Sequence, residues 1–209
     1  MIKVYHLNQS RSQRALWLLE ELELTYEIVP YERGKESRLA PPELKVIHPL
    51  GKSPVIDDGG LIIAESGAIV EYLIETYGKG EFMPAAGTND YWRYKHFMHF
   101  AEGSAMLPLM LFLYTGRLGE AAAPLHPRIM GEIDNHFRYM NTELEGRDFL
   151  VGNDLTGADI QNTYVLENPY AGGLLDQYPN LKRYVEAMHA RLAYRQAVKR
   201  GGTPVFTPA

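Results

Sequence analysis

The sequence predicts an α/β domain followed by an all-helical domain. Strand-like and helix-like runs alternate over residues 1–78, and only helical periodicity follows over residues 90–209. Between them, residues 79–89 are rich in glycine, proline and alanine, which is typical of a linker. With 209 residues, the chain is long enough for two compact units that each bury a core.

The first domain has the predicted element order β-α-β-(α)-β-β-α. Short runs of β-type residues predict the strands, and apolar residues at helical spacing predict the helices. A polar, charged stretch over residues 32–42 is typical of a loop, with room for a short helix after it. The predicted strands are 2–7, 26–31, 54–57 and 61–64, and the predicted helices are 11–24 and 66–77.

Two local signals mark the ends of these elements. Asp58-Gly59-Gly60 predicts a hairpin turn, because glycine adopts a positive φ without steric cost. Ser10, followed three residues later by Gln13, predicts a capping box at the start of the first helix.

The second domain is predicted to contain helices alone. Its helices are expected over residues 90–115, 124–144, 156–167 and 179–192, with a short one near Tyr194.

Composition and charge exclude several functional classes. The net charge of -5 argues against nucleic-acid binding, and the absence of cysteine excludes disulfides, thiol nucleophiles and cysteine-ligated metals. His96 and His99 are three residues apart but no further ligand pattern follows, so we expect no metal site. The N-terminus lacks a signal core, and no apolar run approaches the roughly 20 residues that span a bilayer. We therefore expect a cytoplasmic protein that does not bind membranes.

Three segments of the chain resemble one family. Residues 48–54 (HPLGKSP) resemble an Asn-Pro-x-Gly-x-Val-Pro stretch, residues 65–69 (ESGAI) a Glu/Gln-Ser-x-Ala-Ile helix start, and residues 155–160 (LTGADI) a Leu-Thr-x-Ala-Asp capping motif. In this order and at these separations, they resemble the glutathione S-transferase superfamily over nearly the whole chain. The opening segment at residues 8–14 (NQSRSQR) is most similar to serine-type bacterial, fungal and theta-like members. The resemblance implies a thioredoxin-like first domain that binds glutathione.

The resemblance also assigns the glutathione-binding residues. In the family, the proline that matches Pro54 is cis, so the residue before it, here Ser53 in place of the usual valine, offers its backbone to the cysteinyl part of glutathione. Ser66 at a helix N-terminus would hold the γ-glutamyl carboxylate, and Glu65 would hold its ammonium group. Lys52 matches a lysine or glutamine that touches glutathione in several classes.

Further basic residues on the preceding loop are candidates for the glycyl carboxylate of glutathione. Lys35, Arg38 and Lys45 all lie on or just after this loop, and the sequence does not choose among them.

Ser10 is the catalytic residue that the resemblance implies, because Arg14 then completes the theta-like Ser-x-x-x-Arg pattern. Only a thiolate attacks, and a thiol has a reference pKa of about 8.5. A hydroxyl that donates to sulfur, together with a helix N-terminus, favours the thiolate. Ser12 in the same turn is the second candidate, and Tyr5 is offset from the tyrosine that other classes use. We expect Arg14 to support the site or the domain junction.

Two further groups of residues complete the prediction. Thr156 and Asp159 form a structural capping box that nucleates a core helix. The second substrate is expected against the long helix after the linker, although such an apolar stripe is more often core than pocket. The candidates for this electrophile pocket are Phe97, Met106, Met110 and Tyr114.

The leading hypothesis is an enzyme in which the glutathione thiolate attacks an electrophilic, mostly apolar small molecule. Peroxide reduction, isomerisation and glutathione-disulfide exchange use the same thiolate and remain alternatives. A non-catalytic regulatory binding module on the same fold is the third hypothesis, because fold alone does not decide function. The resemblance further implies a homodimer, in which the first domain of one subunit packs on the helical domain of the other.

Overall fold

A four-stranded mixed sheet organises the first domain of the computed structural model, which describes residues 1–205. The strand order is β2-β1-β3-β4; β1 runs parallel to β2 and antiparallel to β3, and β3 runs antiparallel to β4. The strands are β1 (Ile2–Leu7), β2 (Tyr26–Tyr31), β3 (Val55–Asp58) and β4 (Leu61–Ala64), and the helices of this domain are α1 (Ser12–Glu21), α2 (Leu44–Ile47) and α3 (Ser66–Tyr77).

Helices form the second domain, and residues 78–88 connect it to the first. The α/β domain followed by a helical domain confirms the predicted fold class. The helices are α4 (Asn89–Phe100), α5 (Met106–Thr115), α6 (His126–Glu143), α7 (Gly157–Ala171), α8 (Pro179–Ala190) and α9 (Leu192–Gly201), with 3₁₀ turns at Gly116–Ala122 and Leu174–Gln177.

The β3–β4 hairpin forms at the predicted turn. Asp58 pairs with Leu61, which leaves Gly59 and Gly60 as a two-residue loop. Their φ angles of 62° and 97° are both positive, as a two-residue turn that matches the strand twist requires.

Helix α1 lies at the centre of the molecule. It packs on β1 and α3 of its own domain and on α7 and α9 of the helical domain. Its apolar run from Ala15 to Leu19 is accordingly buried, with no residue more than 2% exposed. The ring of Trp17 meets that of Tyr194 from α9 edge-on, with ring centroids 5.2 Å apart. The two domains therefore share a continuous core.

The capping box predicted for α1 is wrong. Arg11 is the N-cap residue, and no side chain caps the helix. The Ser10 hydroxyl instead donates to the Leu7 carbonyl at 2.6 Å, and the buried Gln13 amide has no partner among the described residues. Ser10 thus bonds within the β1–α1 turn, where its oxygen also accepts from the Ser12 N–H at 3.3 Å, but Gln13 does not complete a capping box.

The helix predicted over residues 90–115 contains an unpredicted irregularity. A π-helical turn at Ala101–Ala105 separates α4 from α5 within one continuous helical run. By length and composition alone, the run Asn89–Ala122 is apolar enough to cross a membrane, and 39% of its most apolar window is buried. A core helix of a soluble protein passes the same test.

The capping box at α7 forms as the sequence predicts. The Thr156 N–H and hydroxyl both donate to the Asp159 carboxylate at 2.9 Å. The helix that follows continues to Ala171, four residues past its predicted end, and accommodates Pro169 in its last turn. The predicted short helix near Tyr194 is longer as well, since α9 spans ten residues.

Candidate functional site

Leu7, the last residue of β1, brings two predicted site residues together. Its N–H donates to the Ser53 hydroxyl at 3.1 Å, and its carbonyl accepts from the Ser10 hydroxyl at 2.6 Å. Ser10 and Ser53 are 43 positions apart in sequence, yet the hydroxyl of each bonds a backbone group of Leu7. The catalytic candidate and the loop before Pro54 therefore meet at the C-terminal end of β1.

The Ser53–Pro54 peptide bond is cis, as the resemblance implies. The Ser53 hydroxyl donates to the Tyr5 carbonyl at 2.8 Å while it accepts from Leu7, so the side chain ties this loop to β1. The sequence assigned Ser53 a role through its backbone only, and this side-chain role was missed. Within the described residues, no hydrogen bond engages the Ser53 N–H or C=O, which leaves both available to an extended ligand.

The N-terminus of α3 provides the opposite end of the site. Glu65 precedes the helix with φ 72°, a left-handed conformation that costs a non-glycine residue about 1–3 kcal/mol. Its side chain is exposed, whereas Ser66 is only 5% exposed. The Ser66 hydroxyl accepts from the Arg14 guanidinium at 3.0 Å and lies 3.5 Å from the Gln161 side-chain oxygen.

Arg14 links this helix start to the helical domain. Its guanidinium is fully buried and donates twice to the Gln161 carbonyl, at 2.7 and 3.1 Å, and once to Glu102 at 2.5 Å. It also lies 4.8 Å from the centre of the Tyr164 ring. Burial lowers the pKa of Arg14, and the Glu102 carboxylate opposes this effect. The expected support role of Arg14 at the domain junction matches these contacts.

The π-helical turn between α4 and α5 carries Glu102 toward α1. Glu102 pairs with Arg11 at 2.8 Å as well as with Arg14. Burial opposes ionisation of Glu102, but the two guanidinium charges outweigh it and hold the pKa of the carboxyl below its usual value. Neither Glu102 nor Gln161 was predicted, because both contacts join residues far apart in sequence.

The loop between β2 and α2 is fastened to the turn that carries Ser10. Arg33 donates through its backbone N–H to the Asn8 side chain at 3.0 Å and through its guanidinium to the Asn8 and Gln9 carbonyls. Arg38 donates to the Gln9 side chain at 3.0 Å. The sequence did not predict a role for Arg33, because nothing in its local pattern distinguishes it from a loop arginine that faces solvent.

The predicted lysines are not engaged by this network. Lys35, Lys45 and Lys52 are exposed, and none of their side-chain ammonium groups makes a hydrogen bond or ion pair within residues 1–205. Of the loop candidates for the glycyl carboxylate, Arg38 is the one held beside the Ser10 turn.

The candidates for the electrophile pocket separate into core and surface. Phe97 is fully buried, with its ring stacked on Tyr139 at 6.0 Å, and Met106 is 7% exposed. Phe97 is therefore a core residue and does not line an open pocket, which corrects the prediction. Met110 is half-buried, and Tyr114 is 57% exposed on α5.

One cavity lies away from this site. It has a volume of about 720 Å³ and is lined mainly by residues 80–84 and 149–156 with Arg191. None of the glutathione-binding candidates borders it. In the described part of the chain, no three histidine or acidic side chains group as metal ligands.

The geometry defines a class of protein: a thioredoxin-like domain with a cis-proline loop beside a helix N-terminus, joined to a helical domain. Comparison with known families agrees. Residues 1–75 match the glutathione S-transferase N-terminal domain and residues 94–191 its C-terminal domain. The chain belongs to the glutathione S-transferase family.

Individual relatives are similar over almost their whole length. Glutathione S-transferase 1 of Saccharomyces cerevisiae is 30% identical, with 93% of this chain and 92% of that protein covered. A glutathione S-transferase structure from Actinobacillus pleuropneumoniae is 34% identical with a TM-score of 0.87, covering 96% and 93% of the two chains. A sphingomonad glutathione S-transferase complexed with glutathione is 25% identical with a TM-score of 0.77, covering 96% and 98%.

Proposed function

We propose that this protein is an enzyme that binds glutathione and activates its thiol as a thiolate for attack on an electrophilic, mostly apolar small molecule. One observation carries the proposal. Leu7 bonds both Ser10 and Ser53, and Arg14, one helical turn after Ser10, bonds Ser66. Leu7 and Arg14 thus hold together a hydroxyl, two free backbone groups and a helix N-terminus.

Each part of glutathione has a chemical partner among these groups. The unpaired N–H groups at the start of α3 and the Ser66 hydroxyl suit the γ-glutamyl carboxylate. The exposed Glu65 carboxylate suits the γ-glutamyl ammonium, and the free Ser53 N–H and C=O suit the cysteinyl backbone. Lys52, with no partner in the described chain, is available to a glutathione carboxylate.

Ser10 is the better candidate of the two serines for the sulfur. Ser12 is 0% exposed and lies behind Ser10, whereas Ser10 is 4% exposed at the turn. A hydroxyl that donates to a thiolate stabilises it relative to the thiol, so Ser10, its proton turned from the Leu7 carbonyl to the sulfur, would act as a donor and never as a nucleophile. Charge-assisted hydrogen bonds contribute about 1.5–3 kcal/mol, which is enough to lower a thiol pKa by about one to two units.

The electrophile is proposed to lie against the exposed apolar face of α5. Met110 and Tyr114 belong to this face, together with Leu107 and Leu111, which are 56% and 43% exposed. We further propose that the protein is cytoplasmic and forms a homodimer; an elution volume at defined protein concentration would test the dimer.

The test is conjugation of glutathione to a chromogenic aromatic electrophile by wild type and Ser10→Ala. We expect kcat/KM to fall by about 10- to 100-fold in the variant, the equivalent of one charge-assisted hydrogen bond. Binding of S-methylglutathione, which lacks a thiol, should change little. Ser37→Ala, at an exposed serine of the loop after β2, is the matched control.

Two outcomes would overturn the proposal. Unchanged turnover in Ser10→Ala removes Ser10 from its role. Absence of heat on calorimetric titration with glutathione favours the non-catalytic binding module.

A further inference from the structure

A row of three buried side chains leads from Ser10 into the protein. The Ser10 and Ser12 hydroxyl oxygens are 2.8 Å apart, and the Ser12 oxygen is 2.7 Å from Nδ1 of His6. Nε2 of His6 lies 2.8 Å from the carbonyl oxygen of Gly201. We call Ser10, Ser12 and His6 the relay; each is at most 5% exposed.

Three elements meet to build the relay. The strand pleat places His6 on the same face of β1 as the buried Ile2 and Val4, under the turn that leads to α1. Ser12 is the first residue of α1, and Gly201 is the last residue of α9. A Cβ at Gly201 would lie 2.3 Å from Leu16, so the close approach of the α9 carbonyl to His6 depends on this glycine.

The hydrogen-bond partners determine which imidazole nitrogen carries the proton. A carbonyl only accepts, so Nε2 must donate to Gly201. Burial lowers the pKa of His6, so the imidazole is neutral before a ligand binds and Nδ1 has a free lone pair. Ser12 can then donate to Nδ1, and its oxygen is left to accept from Ser10. The Ser10 proton, which lies on the Leu7 carbonyl in this structure, must turn to the Ser12 oxygen 2.8 Å away when the thiol donates to Ser10.

The surroundings of the imidazole are uncharged in the described chain. The Ser12 hydroxyl contacts it from α1 and the Gly201 carbonyl from α9, the Gln13 amide lies beside Gly201, and Pro30 of β2 is its partner in the sheet register. Burial and the Gly201 carbonyl are the influences on the pKa of His6, and no charged side chain is among them. A proton that arrives at His6 therefore meets no competing charge, and the protonation change is confined to Nδ1.

We propose that His6 accepts the thiol proton of bound glutathione through Ser10 and Ser12. The S–H bond breaks as the Ser10 oxygen takes its proton, the original Ser10 proton moves to Ser12, and the original Ser12 proton moves to Nδ1. Both serines finish with one proton each, and no electrons are transferred between molecules. The net change is from thiol and neutral imidazole to thiolate and imidazolium.

The product state satisfies every donor along the relay. Nε2–H donates to Gly201, Nδ1–H to Ser12, Ser12 to Ser10, and Ser10 to the thiolate. The negative sulfur offsets the burial of the imidazolium, so His6 becomes charged only when the thiolate forms. This proposal rests on the role proposed above for Ser10 and makes His6 the base of the same reaction.

Proton release on glutathione binding tests the proposal directly. Calorimetric titration in two buffers of different ionisation enthalpy gives the protons released, and ultraviolet absorbance gives the thiolate formed; S-methylglutathione corrects for protons unrelated to the thiol. Wild type should release clearly fewer protons than thiolates formed. His6→Asn should release one proton per thiolate, because its amide oxygen can accept from Ser12 but does not take up a proton.

Ser12→Ala breaks the relay without touching His6 and should also release one proton per thiolate, so it carries the test if His6→Asn does not fold. His99→Asn, at an exposed histidine of α4, should match wild type. One proton released per thiolate in wild type, unchanged in both relay variants, would overturn the role of His6 while leaving the Ser10→Ala result intact. Loss of glutathione binding in wild type would instead overturn the proposed function.

Discussion

At the scale of single residues, the contacts of Arg14 depend on the shape of its guanidinium group. Its planar fork reaches three acceptors at once: the Gln161 carbonyl, the Ser66 hydroxyl and the Glu102 carboxylate. A lysine carries the same charge, but its compact ammonium does not match the arrangement of these three acceptors. The charge is therefore replaceable, whereas the shape of the guanidinium is not.

Arg14→Lys is predicted to destabilise the protein by about 1.5–3 kcal/mol, the contribution of a hydrogen bond to a charged group. Because Ser66 loses its partner, glutathione should also bind more weakly. Urea denaturation and calorimetric titration measure the two effects. Arg138→Lys, at an arginine 71% exposed, is the control and should stay within about 0.5 kcal/mol of wild type. Equal effects of the two variants would contradict this account of Arg14.

Most residues of the candidate site stand in a local sequence motif, whereas the residues that contact them do not. Ser10, Ser53 and Ser66 stand in recognisable motifs, so their positions followed from the sequence. Gln161 and Glu102 contact Arg14 across 147 and 88 positions, and His6 contacts Gly201 across 195. Pairings at these separations depend on how the domains dock, which no local pattern encodes.

At the scale of elements, the start of α7 shows how one side chain can organise a helix. The Asp159 carboxylate accepts from the Leu150 N–H, from the Thr156 N–H and hydroxyl, and from the Tyr184 hydroxyl at 3.0 Å. These donors come from the preceding loop, the cap and α8. Asp159 is 0% exposed, so water is not available to replace a lost acceptor.

Asp159→Asn is predicted to destabilise the fold by about 1–3 kcal/mol for each donor it leaves unpaired, because the amide nitrogen cannot accept. The free energy of unfolding from urea titration is the measurement. Asp154→Asn, at an exposed aspartate of the same loop, should have little effect. A loss no larger than the roughly 1 kcal/mol of an ordinary cap would show that the other donors find new partners.

The order of the elements could be predicted, and their irregularities could not. Periodicity and turn residues located the strands, the hairpin and the main helices. The Ser10–Gln13 pattern matched a capping box, but the Leu7 carbonyl three residues earlier takes the Ser10 hydroxyl within the β1–α1 turn. The π-helical turn at Ala101–Ala105 has the composition of an ordinary helix, so sequence periodicity does not predict it.

At the scale of the whole molecule, the two domains are joined through buried contacts. α1 of the first domain packs against α7 and α9 of the second, and α3 packs against α7. The fully buried Arg14 bonds across the same boundary. Neither domain can lose this interface without exposing apolar surface and a buried charge, which favours unfolding in one step.

Tryptophan fluorescence and far-ultraviolet circular dichroism should therefore report the same urea midpoint. Trp17 is 2% exposed at the junction of α1 and α9, and a Trp92→Phe variant removes the signal of the other tryptophan, which is 66% exposed. Glutathione at 100 times its Kd should raise the free energy of unfolding by about 2.7 kcal/mol in both signals, since binding stabilises the whole cooperative unit. The protein concentration must be held constant, because association of subunits shifts midpoints. A fluorescence transition that precedes the loss of helix, or a ligand shift seen in fluorescence alone, would mean that the thioredoxin-like domain unfolds separately from its helical partner.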